Sequence, residues 1–294
     1  MAPARDGPPA AAGDLSASAI VPYERWRARL DELIARYRGA TPYPHVVLDD
    51  FVAPDVATCA ATEFPAPDSG EWIQYVHVNE RKLGRNDPAA IPAVHRAVIA
   101  ELHSPGFVEF LSTLTGIPGL FADDSLEGGG LHQSTRGGFL NVHSDFNSHP
   151  HHPTWRRRLN LLLYLNPGWE ESWGGQLELW DSDVQTRVKR VAPLFNRAVV
   201  FDTTGDAFHG HPEPLACPDG VTRKSIALYY FTEESAPVRV RSTEYRARPG
   251  EGVRGLGIYL DKMALRAYDR TKRALGIDDR FASNLLKLLS GRRR

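Results

Sequence analysis

The sequence predicts an α+β protein in which helices precede a β sandwich or barrel. In the first third, apolar residues recur at helical spacing over residues 22–38, and Pro54 suits the first turn of a second helix that runs to about Glu63. From Leu126 onward, short apolar strands alternate with turns rich in Gly, Pro and Asp. This spacing is typical of an all-β sandwich or barrel.

The individual elements follow from the same two periodicities. Helical spacing predicts helices over 22–38, 54–63, 89–102 and 105–115, and strand patterns occur over 45–51 and 71–78. In the β-rich part, strands are predicted near 129–135, 138–144, 158–166, 175–181, 186–192, 197–202 and 222–231. Two helical stripes, over 260–271 and 281–289, lie near the C-terminus.

Four segments are predicted along the chain. Residues 1–19 are rich in Ala, Pro and Gly and lack the continuous apolar stretch of a signal peptide, so we expect a disordered tail. Residues 20–125 form a helical and strand portion, and residues 126–241 form the β-rich core. Residues 242–294 form a C-terminal helical extension with a basic face.

The composition limits the class of function. The chain has 294 residues, 24% of them charged, and a formal net charge of −1, so its overall field indicates no nucleic-acid partner. Its two cysteines, Cys59 and Cys217, do not make a disulfide framework and favour a reducing, cytoplasmic location. No apolar run approaches the ~18 residues of a membrane span.

The most informative pattern is a pair of potential metal ligands. His143 and Asp145 lie two apart on a predicted strand, so both side chains point to the same face. A lone His-X-Asp pair is more often a surface feature or a local hydrogen bond. Two further histidines, His209 and His211, follow later in the β-rich part, and either completes the two-histidine, one-carboxylate set typical of non-haem Fe(II).

Other polar residues in the β-rich part have two readings. Arg223 lies in an apolar strand pattern, where a charged side chain needs an anion, and a carboxylate suits its geometry. The loop with His149, His151 and His152 contains prolines and is predicted to be stiff and exposed, which favours substrate contact over a second metal. The arginines at 156–158 could receive an anionic group, although a solvated face is commoner.

Taken together, these motifs resemble a known family. The stretch 129–233, with His143, Asp145, His209 and Arg223 in this order, resembles the Fe(II)- and 2-oxoglutarate-dependent oxygenases of the prolyl-4-hydroxylase-like branch. The segment 42–51 is similar to the N-terminal strand of that branch. The resemblance covers roughly residues 42–233 and implies a double-stranded β-helix (a jelly-roll, cupin-like core) with N-terminal buttressing helices and a C-terminal helical extension.

The resemblance also implies a role for individual residues. It places His143, Asp145 and His209 as the catalytic metal ligands, with His211 as the distal alternative that the sequence leaves open. Four residues are implied as contacts for the distal carboxylate of 2-oxoglutarate: Arg223, Ser225, Tyr164 and, at a position where the family often has tyrosine, Gln133. Tyr164 has an equally good reading as a core residue, because apolar residues flank it.

The implied activity is hydroxylation of an unactivated C–H bond. The cofactors would be Fe(II), 2-oxoglutarate and O2, with ascorbate as a candidate reductant, and the products would include succinate and CO2. We expect an amino-acid, peptide or small-metabolite substrate, no nucleic acid and no transmembrane segment; helices at the ends of the chain could form a homodimer interface. The alternatives are a non-catalytic cupin-like metal sensor and a zinc-type hydrolase on the same ligands.

Overall fold

The structure is a computed structural model that describes residues 19–252 and, beyond them, residues 255, 257–260 and 263. The predicted disordered tail falls almost wholly outside the described residues. The same holds for most of the C-terminal extension, including the stripes over 260–271 and 281–289. In the described part, no helix is long and apolar enough to cross a membrane.

The described residues contain five α-helices, a short 3-10 helix (Glu171–Trp173) and thirteen strands. The helices are α1 (Tyr23–Arg27), α2 (Leu30–Arg38), α3 (Pro54–Thr62), α4 (Ala93–His103) and α5 (Pro105–Thr115). The first strands are β1 (His45–Asp49), β2 (Ile73–His77), β3 (Glu80–Arg85), β4 (Leu120–Ala122), β5 (Gly130–Ser134) and β6 (Phe139–Ser144). The remaining strands are β7 (Trp155–Tyr164), β8 (Leu177–Trp180), β9 (Arg187–Val191), β10 (Arg197–Asp202), β11 (Phe208–His211), β12 (Arg223–Glu233) and β13 (Glu244–Tyr245).

The strands form one continuous antiparallel sheet that curls into a jelly roll. Its order is β1-β10-β7-β12-β5-β3-β6-β11-β8-β9, while β2 pairs with β3, β4 with β12 and β13 with β6. The half around β7 and β12 faces the half around β11 and β8, and an apolar cluster joins Tyr164 and Phe201 of the first half to Leu177 and Leu179 of the second. The predicted fold class is confirmed.

Side chains along the central strands face the hydrophobic core and the cavity in turn. On β7, Leu161 and Leu163 pack into the large core beneath the helices, whereas Leu162 and Tyr164 face the interior of the jelly roll. Neighbouring β12 follows the same rule, with Ile226 directed to the helical side. One face of each strand is therefore apolar and buried, and the other is available for chemistry.

The helices cover the outer face of this half of the sheet. Trp26 and Leu33 are buried in the shared core, together with Phe107 and Leu111 of α5. The Trp26 indole N–H also donates to the Phe51 carbonyl at 3.2 Å. The helical portion thus packs into the same hydrophobic core as the sheet, which supports the jelly roll from outside.

Several elements differ from the prediction. The helix expected over 22–38 consists of two helices, α1 and α2, separated at Ala28 and Arg29. Strands β3, β4, β11 and β13 were not predicted, and β11 was expected to be a loop. Strand β3 has four charged residues among its six, and β11 reads Phe-His-Gly-His, so neither shows apolar alternation. Their polar side chains find partners only in the folded interior.

Candidate metal centre

Three side chains converge at the open end of β6 and β11. His143 lies on β6 directly opposite His209 of β11, and Asp145 follows two residues after His143. The Nε2 atom of His143 is 3.5 Å from Asp145 Oδ1, and that of His209 is 3.5 Å from Asp145 Oδ2. All three ligand atoms lie within 4.8 Å of one another, and no other group of three such residues in the described part does so.

Backbone carbonyls set the tautomer of both histidines. The Nδ1 atom of His143 is 2.9 Å from the Asn141 carbonyl, and that of His209 is 3.0 Å from the Ala207 carbonyl. A carbonyl oxygen only accepts, so each Nδ1 carries the hydrogen and donates. In a neutral ring this leaves the Nε2 lone pair free to bind a metal ion at the point of convergence.

The Asp145 carboxylate is held by two donors from β7. Arg157 Nη2 donates to Asp145 Oδ2 at 3.1 Å, and Asn160 Nδ2 donates to the same oxygen at 2.7 Å. The Arg157 guanidinium is itself fixed by Asn160 Oδ1 and lies between the rings of Phe146 and Tyr229. Because Oδ2 already accepts two hydrogen bonds, Oδ1 is the oxygen left for a metal.

The electrostatics keep Asp145 and His209 in the form that binds metal. Burial alone would raise the pKa of Asp145, but the adjacent Arg157 and the two histidines hold it well below its usual range. Burial lowers the pKa of His209 to about 4, against the opposing effect of Asp145. At neutral pH the site therefore offers one carboxylate and a neutral His209 imidazole, as metal coordination requires.

A β-bulge brings Arg157 into the site. The pairing of β7 with β12 runs from Leu159 opposite Tyr230 to Arg157 opposite Phe231, so Arg158 is the extra residue. The bulge places Arg157 on the same side as Asn160, three residues away, where simple alternation would separate them. The expectation that residues 156–158 form a basic surface run is wrong for Arg157, which is 3% exposed.

His211 lies outside the triad but faces the same cavity. The pairing of β11 with β6 becomes irregular after His209, and His211 comes opposite Leu140. It is buried, and its Nδ1 atom makes no hydrogen bond. Burial and the nearby Arg223 hold its pKa well below the usual range, so the ring is neutral. The converging ligand atoms are thus those of His209, and His211 lines the cavity beside them.

At the far end of the cavity lies a buried guanidinium. Arg223 Nε donates to the Gly175 carbonyl at 2.7 Å, and Nη2 donates to the Tyr164 hydroxyl at 3.1 Å. A Cβ atom at Gly175 would lie 3.0 Å from the Arg223 side chain, which explains the glycine turn there. Among the described residues, no carboxylate forms an ion pair with Arg223.

Tyr164 complements this cation. Burial raises the pKa of its phenol, against the opposing effect of Arg223, so the hydroxyl remains protonated. Since its oxygen accepts from Arg223, its hydrogen is available to a ligand. Arg223 and Tyr164 therefore present donors to an anion in a cavity that they share with the triad. Tyr164 combines both predicted readings, because its ring is also part of the apolar cluster.

Two predicted contacts, Ser225 of β12 and Gln133 of β5, lie on opposite faces of the sheet. Ser225 pairs with His132 across β12 and β5, so both belong to the face that carries Arg223. Gln133 lies on the opposite face, where its amide donates to the Pro65 carbonyl and accepts from the Thr222 hydroxyl. Both His132 and Gln133 are among the residues that line the cavity, and the role predicted for Gln133 stays a prediction.

The β2–β3 hairpin forms one side of the cavity, which the sequence did not predict. Lys82 of β3 lines the cavity together with His143 and Asp145. Its Nζ atom is 3.0 Å from Glu80 Oε2, and Glu80 Oε1 is 2.8 Å from His77 Nε2. The alternation of charges in β3 was the one available signal, because residues 80 and 82 share a strand face.

The histidine-rich loop after Asp145 is partly structural. His149, predicted to lie in an exposed loop, is 1% exposed, and its Nε2 atom is 3.3 Å from Asp123 Oδ2. His152 stacks on Trp155, with ring centroids 3.9 Å apart. The expectation of exposure is wrong for His149, because the loop packs against β7 through these aromatic contacts.

A comparison with known sequences shows which protein family this segment resembles. A sequence profile described as "2OG-Fe(II) oxygenase superfamily" matches residues 129–231, the segment that contains the triad and Arg223. The segment that carries the site is thus similar to the 2OG-Fe(II) oxygenase superfamily. The predicted recognition is confirmed, and it covers β5 to β12, the strands that build the site.

Similar sequences include prolyl hydroxylases. The chain is 33% identical over 79 residues to prolyl 3-hydroxylase OGFOD1 of Mus musculus, covering 26% of this chain and 14% of that protein. It is 32% identical over 142 residues to prolyl 3,4-dihydroxylase OGFOD1 of Ostreococcus tauri, covering 45% of this chain and 25% of that protein. The chain therefore spans a quarter or less of the length of these relatives.

A solved structure shares the fold. A prolyl hydroxylase from Trichoplax adhaerens, in complex with a hypoxia inducible factor oxygen degradation domain peptide fragment, is similar with a TM-score of 0.51 and 15% identity. The similarity covers 71% of this chain and 92% of the solved one. This likeness extends the fold assignment beyond the residues that match the family profile.

The residues present fit the cofactors of this superfamily, which are Fe(II), 2-oxoglutarate and O2. Two imidazole nitrogens and one carboxylate oxygen converge, as a facial triad requires. A protonated phenol and a guanidinium without an ion pair among the described residues lie in the same cavity, as a dicarboxylate requires. The individual residue roles remain predictions that these geometric facts support.

Proposed function

We propose that the protein is a 2-oxoglutarate-dependent dioxygenase that hydroxylates an unactivated C–H bond and releases succinate and CO2. One observation carries this proposal: the buried triad and the buried Arg223, which lacks a carboxylate partner among the described residues, face a single cavity. A buried cation without an anion is costly. A dicarboxylate that reaches from the metal to Arg223 removes that cost.

Each residue has a specific role in this proposal. His143, Asp145 and His209 hold Fe(II), which, when bound, supplies the oxidation chemistry that O2 and 2-oxoglutarate drive. Arg223 and Tyr164 donate to the distal carboxylate of 2-oxoglutarate, with Ser225 on the same strand face. We assign His132, rather than Gln133, to the neighbouring contact on β5, because only His132 shares that face.

The two alternatives account for less of the site. A metal sensor or a zinc-type hydrolase could use the same three ligands. Neither needs a buried guanidinium at the far end of the cavity, nor a tyrosine hydroxyl that is oriented toward it. The dicarboxylate site therefore favours the oxygenase over both.

We propose an amino-acid, peptide or small-metabolite substrate. The similar proteins named prolyl hydroxylases support a prolyl C–H bond as the first target to test. The two free cysteines agree with the proposed cytoplasmic location. A homodimer through the terminal helices remains a prediction, because most of the C-terminal extension lies outside the described residues.

An anaerobic titration tests the proposal. The purified protein is mixed with Fe(II) and 2-oxoglutarate, and the visible charge-transfer band of the complex is recorded before O2 is admitted and succinate is measured. We expect a band and succinate from the wild-type protein, neither from Asp145→Ala, and at least tenfold weaker 2-oxoglutarate binding in Arg223→Met.

Arg36→Met is the matched control, because Arg36 is exposed on α2 and pairs with Glu32 at the surface. It should bind 2-oxoglutarate like the wild-type protein. If the wild-type protein forms no band and no succinate, or if Asp145→Ala turns over 2-oxoglutarate unchanged, the proposed function is wrong.

A further inference from the structure

We propose that Lys82 binds a carboxylate of the substrate, so that the preferred substrate is a small acid rather than its neutral amide. This inference rests on the proposed function and names the substrate class for the same site. Lys82 lies on the β2–β3 hairpin, outside the residues 129–231 that match the superfamily profile. Lys82 therefore does not belong to the segment that matches the superfamily profile.

The position of Lys82 places its ammonium in the cavity. Strand β3 pairs with both β5 and β6, so it bridges the two halves of the jelly roll beside the triad. Lys82 lines the cavity together with His143, Asp145 and Tyr229. Its Nζ atom also stands over the Tyr75 ring, 5.1 Å from the centroid, which holds the side chain against the hairpin.

The ammonium retains capacity for a ligand. Its one carboxylate contact among the described residues is Glu80, at 3.0 Å, and Glu80 also contacts His77. An ammonium has three N–H donors, so this contact leaves two. Burial by itself lowers the pKa of Lys82, but Glu80 and the other nearby anionic groups raise it above the usual range. Lys82 is therefore charged at neutral pH.

The ionised groups in the cavity, together with Fe(II) and 2-oxoglutarate, leave a net positive charge that one more anion would neutralise. Three cations, Lys82, Arg157 and Arg223, line it, against the carboxylate of Asp145 in the cavity and that of Glu80 beside Lys82. The two charges of Fe(II) and the two of 2-oxoglutarate cancel. One positive charge thus remains, and a substrate with a single carboxylate neutralises it. A neutral substrate would leave that charge buried and uncompensated, which is unfavourable.

Lys82 and Arg223 are on different strands, β3 and β12. Arg223 is already committed through Nε and Nη2 to Gly175 and Tyr164, at the end where the distal carboxylate of 2-oxoglutarate is proposed to lie. Lys82, on the β2–β3 hairpin, lines the same cavity as His143 and Asp145. A substrate carboxylate on Lys82 would therefore hold a neighbouring C–H bond close to the triad.

Binding of matched acids and amides tests this inference. The protein is loaded anaerobically with Fe(II) and 2-oxoglutarate and titrated with N-acetylated L-amino acids, which carry one carboxylate and no ammonium, and with their carboxamides, while changes in the charge-transfer band are followed. We expect at least one acid to bind at least tenfold more tightly than its amide. Lys82→Met should remove that preference and change the affinity for 2-oxoglutarate by less than twofold.

Lys189→Met is the control, because Lys189 is an exposed lysine on β9. It should keep the preference for the acid. The inference is overturned if no acid binds more tightly than its amide. It is also overturned if Lys82→Met weakens 2-oxoglutarate as strongly as Arg223→Met does, because Lys82 would then hold the co-substrate. Absence of 2-oxoglutarate binding in the wild-type protein would instead reject the proposed function.

Discussion

At the scale of single residues, the two histidines of β11 have different surroundings. His209 stands opposite His143, and its Nδ1–H is fixed by the Ala207 carbonyl, so Nε2 points to the centre of the triad. His211 lacks a partner for Nδ1 and faces the cavity that contains Arg223. A ligand needs a fixed ring and a position opposite the other ligands, and of these two histidines only His209 has both.

This difference predicts unequal effects on metal affinity. His209→Ala removes one of three ligands and should weaken Co(II) or Fe(II) binding more than about 100-fold, beyond the 10–100-fold typical of groups that only support a ligand. His211→Ala should change the affinity by less than about twofold. Isothermal titration of the metal-free variants measures both values. The assignment fails if His211→Ala has the larger effect.

Arg157 and Asp145 form a buried ion pair that a metal ion could partly replace. The carboxylate is 11% exposed and the guanidinium 1% exposed, at 3.1 Å. Removing the cation leaves a buried carboxylate with Asn160 as its remaining hydrogen-bond donor from β7. Uncompensated buried charges of this kind cost about 3–5 kcal/mol.

We therefore expect Arg157→Met to lower the free energy of unfolding of the metal-free protein by about 3–5 kcal/mol. Added Co(II) should stabilise this variant more than the wild-type protein, since the ion supplies the missing positive charge. Guanidinium unfolding with and without the metal measures both effects. Arg156→Met is the control, because that half-exposed residue pairs with Glu234 and should cost less than about 1 kcal/mol.

At the scale of elements, the close approach of β11 to β6 brings His209 to His143. Gly210 lies between the two histidines of β11, and a Cβ atom there would be 2.7 Å from the Leu140 carbonyl oxygen and 2.9 Å from that of Asn141. Backbone atoms cannot give way as a flexible side chain can. A side chain at Gly210 would have to separate the two strands.

Gly210→Ala should therefore weaken metal binding and lower the free energy of unfolding by about 1–3 kcal/mol, the usual cost of overpacking. Gly106→Ala is the matched control: nothing lies within 4 Å of its Cβ position, near the start of α5, so we expect no loss of stability. Metal titration and thermal unfolding of both variants test this. Equal metal affinity in the two variants would contradict it.

At the scale of the whole molecule, buried histidines couple stability to pH. Burial lowers the pKa of His95 and of His209 to about 4 each, and that of His132 to about 3. The unfolded chain, with histidine pKa values near ~6.5, binds more protons than the folded chain below that pH. Stability of the metal-free protein is therefore present above about pH 6.5 and falls as the pH drops toward 4.

His95 offers the clearest test because it lies far from the triad, in the helical core. Its Nε2 atom contacts the Ala60 carbonyl at 2.9 Å, and glutamine can keep that donor without titrating. We expect His95→Gln to reduce the slope of unfolding free energy against pH, between pH 6 and 5, by up to about 1.4 kcal/mol per pH unit. The same substitution at exposed His151 is the control. An unchanged slope in His95→Gln would contradict the prediction.

Periodicity made much of the fold predictable. The leucines of β7 and the apolar run of β12 alternate with residues that face the interior, and this pattern identifies both strands and their buried faces. Strand β3 was not predictable in this way, because its charged residues pair within the molecule. The bulge at Arg158 was also invisible, because it depends on the register between β7 and β12.

By itself, the sequence determined the residue types of the centre and their order: a His-X-Asp pair, a later histidine and an arginine on an apolar strand. Strand alternation was enough for this, because it is a local property of the chain. Only the tertiary structure distinguished His209 from His211, and His132 from Gln133, and brought Arg157 and Lys82 to the cavity. Those choices depend on register and on contacts between distant strands, which local periodicity does not encode.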